Sequence, residues 1–281
     1  MLHGKTIGFL GAGSMAEALM RGLIQGGVVR PQQMIVTNRS NRERLETLHM
    51  RYGVRTAAGK AELVAEADVL IVLCKPKDVA DLLAEIRPYT FRGQVLLSVA
   101  AGVSTGLLAG GVAAGVRVVR AMPNTSCQVG ESATAICLGE GAGEEARLVA
   151  RAILGAVGRV VEVPEAQLDA VTGLSGSGPA YIYLMIEAMV EAGRGVGLSD
   201  QVARELAVQT LLGAARTLVE TGEDPAELRQ KVTSPGGTTM AGLQVLNEAG
   251  FREAMVRAVA RATQRSQELG RMVAAPRVAT S

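Results

Sequence analysis

The spacing of apolar residues changes character along the chain. Up to residue 163, short apolar runs alternate with amphipathic stretches. Ile7–Leu10, Met34–Thr37, Val69–Leu73, Gln94–Ser98, Val116–Arg120, Ala133–Leu138 and Val160–Val163 read as strands, and Val69–Leu73 is unbroken enough to be buried on both faces. Between them a period of about 3.6 residues predicts helices over Ala16–Gln25, Arg42–Met50, Asp78–Ile86 and Glu144–Val157. Strand–helix alternation of this kind implies an α/β fold with a doubly wound sheet. From Pro164 onward the strand signal disappears. Helices are predicted over Gly178–Gly193, Asp200–Thr221, Pro225–Val232, Thr239–Ala249 and Arg252–Val273, with stops at Gly222 and Gly250. The expected architecture is a Rossmann-type dinucleotide-binding domain over 1–163, followed by an all-helical substrate-binding and dimerisation domain over 164–281.

Two of the later helices, over 180–190 and 206–215, are apolar nearly all round. A helix without a polar face must be enclosed on every side, which one copy of so small a domain would struggle to do. A homodimer through the helical half is therefore expected.

The first strand runs straight into Gly11-Ala12-Gly13-Ser14-Met15-Ala16, a Gly-x-Gly-x-x-Ala turn. Gly11 permits the tight turn, Gly13 lets backbone approach a pyrophosphate, and Ala16 keeps the next helix close to its strand. NAD-binding turns of this type usually carry an acidic residue at the end of the second strand. Here that place holds Thr37-Asn38-Arg39-Ser40-Asn41-Arg42, with no carboxylate to repel a 2′-phosphate and a guanidinium able to bind one. NADPH is the expected cofactor, with NADH also usable.

Composition narrows the partners. The 281 residues carry a net charge of +2 with both signs scattered, so neither nucleic acid nor an anionic membrane is expected. The apolar stretch Gly178–Val190 contains Glu187 and falls short of the roughly 20 residues a span needs. Cys74, Cys127 and Cys137 lack metal-ligand or disulfide spacing and read as three buried thiols in a reducing compartment, with no metal and a cytoplasmic location. Between Lys77 and Lys231 there is no Lys or His to serve a ketone or alcohol dehydrogenase as proton donor. An imine removes the difficulty, because its nitrogen is basic enough to arrive protonated.

Two further segments combine glycines with hydroxyls at predicted helix starts, Thr172–Tyr181 and Thr233–Thr239, and each could offer backbone amides to an anion. At these residues the chain resembles the pyrroline-5-carboxylate reductases over nearly its whole length. Gly-Leu-Ser-Gly-Ser-Gly-Pro-Ala-Tyr at 173–181 and Ser-Pro-Gly-Gly-Thr-Thr at 234–239 are similar to that family's signature loops. Cys74-Lys75-Pro76, Ala100-Ala101-Gly102 and Met122-Pro123-Asn124 match its cofactor-lining segments.

The resemblance implies NAD(P)H-dependent reduction of L-1-pyrroline-5-carboxylate to L-proline, the last step of proline biosynthesis, in homodimers that assemble into rings such as a decamer. It implies dinucleotide contacts from Leu10, Gly11, Ala12, Gly13, Ser14 and Met15. Asn38 and Arg39 would lie at the adenosine end, and Cys74, Lys75, Pro76, Ala100 and Ala101 would line the rest. Glu165, Thr238 and Thr239 fall where the family contacts substrate. Lys60 and Lys231 stand where some members carry Asn. The amides of Gly237 to Met240 are expected to hold the substrate carboxylate, with the Thr239 hydroxyl as catalytic group orienting the protonated nitrogen or relaying a proton, and Glu165 offering negative charge to the iminium. Two alternatives stay open on residues alone: a reductase of another imine or of a hydroxyacid, and a non-catalytic dinucleotide-sensing protein.

Overall fold

The structure is a computed structural model describing residues 2–274. Eight strands form one sheet: β1 (Ile7–Leu10), β2 (Met34–Thr37), β3 (Arg55–Thr56), β4 (Val69–Val72), β5 (Val95–Ser98), β6 (Arg117–Met122), β7 (Ser132–Leu138) and β8 (Gly158–Glu162). Helices α1 (Ser14–Gln25), α2 (Arg42–Tyr52), α3 (Lys60–Glu66), α4 (Val79–Ile86), α5 (Thr105–Gly110) and α6 (Gly143–Gly155) connect them. After β8 come α7 (Leu168–Val171), α8 (Gly178–Gly195), α9 (Asp200–Thr221), α10 (Pro225–Lys231), α11 (Thr238–Glu248) and α12 (Phe251–Ala274).

The strand order is β3-β2-β1-β4-β5-β6-β7-β8, parallel except that β7 runs antiparallel to β6. The order reverses beside β1, between β2 and β4, and in such sheets ligands bind outside the carboxyl ends at that point. Alternate strand residues feed two cores. Ile7, Phe9, Val69, Ile71 and Leu97 pack with Leu19, Leu23 and Ile153 on one face, while Leu10, Leu70, Val72 and Leu96 pack with Leu63, Leu83 and Leu108 on the other. A sheet covered on both faces needs strands without a polar side, and β1, β2, β4 and β5 are buried at every position.

The described residues form two compact units, one built from the chain up to Ser177 together with residues from Ala260 on, the other from Gly178–Val259. Within the first, the last part of α12 packs closely: Ser266 donates to Asp169 at 2.6 Å, and a Cβ on Gly102 would meet the Gly270 backbone at 3.0 Å. Within the second, α8 crosses α9 where a Cβ on Gly193 would meet Ala203 at 2.9 Å. The predicted apolar helices are not enclosed by their own chain. Tyr183, Leu184, Leu206, Val208 and Leu212 are all exposed, and α8 buries no residue at all. No helix among the described residues is long and apolar enough to cross a membrane.

Candidate active site

The dinucleotide turn forms as its residues require. Gly11 has φ +133°, and a Cβ there would lie 3.1 Å from the Leu73 backbone, so only glycine fits. Its amide donates to the Thr37 carbonyl at 3.0 Å. Gly13 caps α1 without any side-chain hydrogen bond, and nothing approaches within 4 Å of the place a Cβ would take. The first helical bond runs from the Glu17 amide to the Gly13 carbonyl. The amides of Ser14, Met15 and Ala16 therefore lead an open, positively polarised helix end, a cradle that fits a pyrophosphate.

Beyond the turn lies a cleft of about 540 Å³ lined by Leu10, Gly11, Asn38, Arg39, Cys74 and Lys75, with Thr37, Lys60, Leu73, Lys77, Asp78, Asp81, Leu82 and Glu85. Ala12 to Met15 continue the turn from Gly11, and Pro76 opens the short 3-10 turn Pro76–Asp78. Ala100 is buried, with its amide donating to the Ser98 hydroxyl at 3.3 Å, and Ala101 beside it is half-buried.

Two expectations, the absent carboxylate and the buried Cys74, need correction here, while Asn38 keeps its place in the cleft wall. The end of β2 lacks a carboxylate, but the cleft does not: Asp78 lies 4.0 Å from the Arg39 guanidinium, and Glu85 pairs with Lys60 at 2.5 Å. Folding brings the α4 end of the chain against the β2 loop, which no local pattern in the sequence records. Asn38 spends its side chain on the loop itself, accepting from the Asn41 amide at 3.0 Å and donating to the Asn41 carbonyl at 2.6 Å. Cys74 is half-buried rather than buried, and burial, reinforced by Asp78, pushes its thiol up to about 11. It is a neutral wall of the cleft, not a nucleophile.

Glu165 follows β8 and reaches back to the start of α5. It accepts from the Thr105 amide at 2.8 Å, the Thr105 hydroxyl at 2.6 Å and Arg120 at 3.2 Å. Burial raises its pKa, but the Thr105 and Arg120 hydrogen bonds outweigh that, and the net shift is downward. Glu165 is thus an ionised carboxylate whose charge is already balanced by Arg120. Neither Thr105 nor Arg120 was legible as a site residue, although a charge inside the apolar run Val118-Val119-Arg120-Ala121 is the signal that marks a buried partner.

The segment 172–181 does lead into a helix, α8 at Gly178, but its first part, Thr172–Gly176, is helical rather than a loop. Thr172–Gly176 winds as a π-helical turn after α7, closed by the Ser177 amide on the Thr172 carbonyl at 2.8 Å, so its amides are largely engaged. The second segment does open a helix. Gly236 has φ +70°, Gly237 is the N-cap, and α11 begins at Thr238, one residue earlier than expected. The first helical bond runs from the Ala241 amide to the Gly237 carbonyl, so the amides of Thr238, Thr239 and Met240 point ahead of the helix. No side chain caps this end, and Thr239 is exposed. Lys231 pairs with Glu223.

Comparison with known proteins matches this arrangement. Residues 165–269 match the family model for pyrroline-5-carboxylate reductase dimerisation, and residues 6–102 match that of the NADP oxidoreductases, coenzyme F420-dependent. A pyrroline-5-carboxylate reductase of Bacillus spizizenii is 43% identical over 94% of this chain and 89% of its own length. The solved structure of a pyrroline-5-carboxylate reductase from Coxiella burnetii, 37% identical, superposes with a TM-score of 0.89 over 94% of this chain and 98% of that one. The Plasmodium falciparum pyrroline carboxylate reductase solved with NADP bound is 28% identical, with a TM-score of 0.84 over 95% of this chain and 98% of that one. The dimerisation match accounts for the unenclosed helices of the second unit and makes the protein a homo-oligomer, and with the dinucleotide turn of the first it places the chain in the pyrroline-5-carboxylate reductase family.

Proposed function

We propose that the protein reduces L-1-pyrroline-5-carboxylate to L-proline, holding the dinucleotide in the turn and cleft of its first unit and the substrate carboxylate on the leading amides of α11. When bound, NADPH supplies the hydride. The observation that carries this reading is the open helix end at Gly13, whose Ser14 to Ala16 amides have no protein acceptor in the helix and suit a pyrophosphate. Arg39, with its side chain 88% exposed and only a 4.0 Å contact to Asp78, is free to swing onto a 2′-phosphate. NADPH is therefore preferred over NADH.

Thr238, Thr239 and Met240 offer three amides at the positive end of α11, which is what a carboxylate needs. The Thr239 hydroxyl is not spent on capping, so it can orient the protonated imine nitrogen or relay a proton from water. Glu165 is a second substrate contact in this reading. With Arg120 already neutralising it, it serves as a hydrogen-bond acceptor more than as a bare charge for the iminium.

The division of labour follows the sequence boundary, with cofactor binding over 1–163 and substrate binding and dimerisation over 164–281. Dimers assembled into a ring such as a decamer, working in the cytoplasm, complete the reading, and three free cysteines support a reducing compartment. The deciding experiment mixes purified protein with NADPH and pyrroline-5-carboxylate and follows both the loss of reduced nicotinamide and the appearance of proline. Stoichiometric proline is expected. Oxidation of NADPH with another imine, or with a keto acid that is reduced to its hydroxyacid, but not with this substrate would overturn the reading.

A further inference from the structure

Arg44, in the first turn of α2, is used by nothing above, yet it touches both ends of the cofactor cleft's framework. Its Nε donates to the Ala12 carbonyl at 3.0 Å, and its Nη2 pairs with the Glu17 carboxylate. Its own amide donates to Oδ1 of Asn41 at 2.9 Å, and Asn41 is in turn closed onto the Asn38 side chain. One residue thereby joins the pyrophosphate turn, the start of α1 and the loop that carries Arg39. We infer that Arg44 is a positioning residue for the dinucleotide, fixing the pyrophosphate turn relative to the adenosine-side loop without touching the cofactor.

Gly11 is tied to the Thr37 carbonyl and Gly13 to the Glu17 amide, and between them the Ala12 carbonyl is held by Arg44. Ala12 lies between two glycines, the residues with the most backbone freedom, so an unanchored Ala12 carbonyl would let the cradle amides wander. A guanidinium suits the task because its rigid fork serves two acceptors in one plane, here a carbonyl of the turn and a carboxylate of the helix behind it. Charge matters as well. Glu17 stands in the first turn of α1, where an unpaired carboxylate would compete with a pyrophosphate for the positive end of the helix. Arg44, Arg51 at 2.9 Å and the Tyr52 hydroxyl at 2.8 Å all face that carboxylate. Of these, only Arg44 also reaches the turn.

The inference rests on the cofactor reading of the cleft, so the test measures nucleotide binding directly and separates the two. Dissociation constants for NADPH and NADH are measured by fluorescence of the reduced nicotinamide for the full-length wild type, Arg44→Met, Arg44→Lys and Tyr52→Phe, with kcat and KM alongside. Failure of the wild type to bind either nucleotide would sink the cofactor reading and this inference with it. If Arg44 positions the turn, Arg44→Met weakens both nucleotides by about tenfold, the order expected for a charge-assisted hydrogen bond, with kcat held within about twofold. Tyr52→Phe, which removes a Glu17 partner but not the Ala12 contact, leaves both constants nearly unchanged. Arg44→Lys, which keeps the charge but loses the fork, falls between. Wild-type affinity in Arg44→Met overturns the inference. So does a loss confined to NADPH, which would make Arg44 a 2′-phosphate contact, or an equal loss in Tyr52→Phe, which would make the cluster a general brace between α1 and α2. Should Arg44→Met fail to fold, Arg44→Lys decides by the same comparison.

Discussion

Arg120 and Glu165 neutralise each other within the first unit: Nη1 of Arg120, nine-tenths buried in the interior strand β6, lies 3.2 Å from Oε1 of Glu165. Removing one partner of such a pair leaves the other uncompensated, which is far more costly than the pair itself is stabilising. Glu165 is about one-third exposed, so water softens the penalty, and Arg120→Met is expected to destabilise the protein by about 1–3 kcal/mol. Chemical denaturation of the variant checks this; an unchanged midpoint would mean the pair is idle.

The same pair gives a pH signature. Because the folded pKa of Glu165 is depressed, its stabilising contribution is complete above the ordinary carboxylate range and drains away as pH falls through the lowered value. Glu165→Gln, which lacks that titration, should show a shallower fall in stability on acidification than the wild type. Parallel curves of melting temperature against pH would contradict it.

Cofactor choice turns on Arg39 and its neighbour. Arg39→Ala should lower the ratio of kcat/KM for NADPH over NADH by roughly ten- to a hundredfold, the value of one charge-assisted contact. Asp78→Asn removes the carboxylate 4.0 Å from that guanidinium and should shift the ratio the other way. Steady-state kinetics with both nucleotides reads each effect, and a ratio indifferent to Arg39 would remove it from the 2′-phosphate site.

Thr239 is the second residue of α11 and caps nothing. Thr239→Ala is accordingly expected to leave the melting temperature close to wild type while kcat falls on the order of a hundredfold, since water can partly replace the hydroxyl. A variant that melts early and turns over normally would reverse the assignment.

Exposed apolar residues on α8 and α9 should be covered in solution. Leu184→Asp and Leu206→Asp, at positions 66% and 54% exposed in the isolated chain, should convert the oligomer to smaller species by light scattering at micromolar concentration. An oligomer untouched by both would place the interface elsewhere.

Local pattern carried a large part of this protein into view. The apolar runs at Ile7–Leu10 and Met34–Thr37 became strands with those bounds, because a strand buried on both faces carries a nearly unbroken apolar run. The Gly11 to Ala16 turn was readable because backbone geometry itself demands those residues, and the loop at 234–239 because a helix start leaves amides that hydroxyls and glycines accommodate. Other features depend on distance along the chain. The two-residue β3 is too short to have a period, and the seven residues of α3 span less than two full turns. Thr172–Gly176 looks like a loop by composition, yet packing after α7 winds it into a π turn. Sequence periodicity says which face of an element is apolar; it does not say which remote side chain will meet it. The Thr105–Glu165 and Arg120–Glu165 contacts, the Asp78 carboxylate beside Arg39 and the Arg44 bridge to Ala12 arise only when crossover connections bring distant loops to the same end of the sheet.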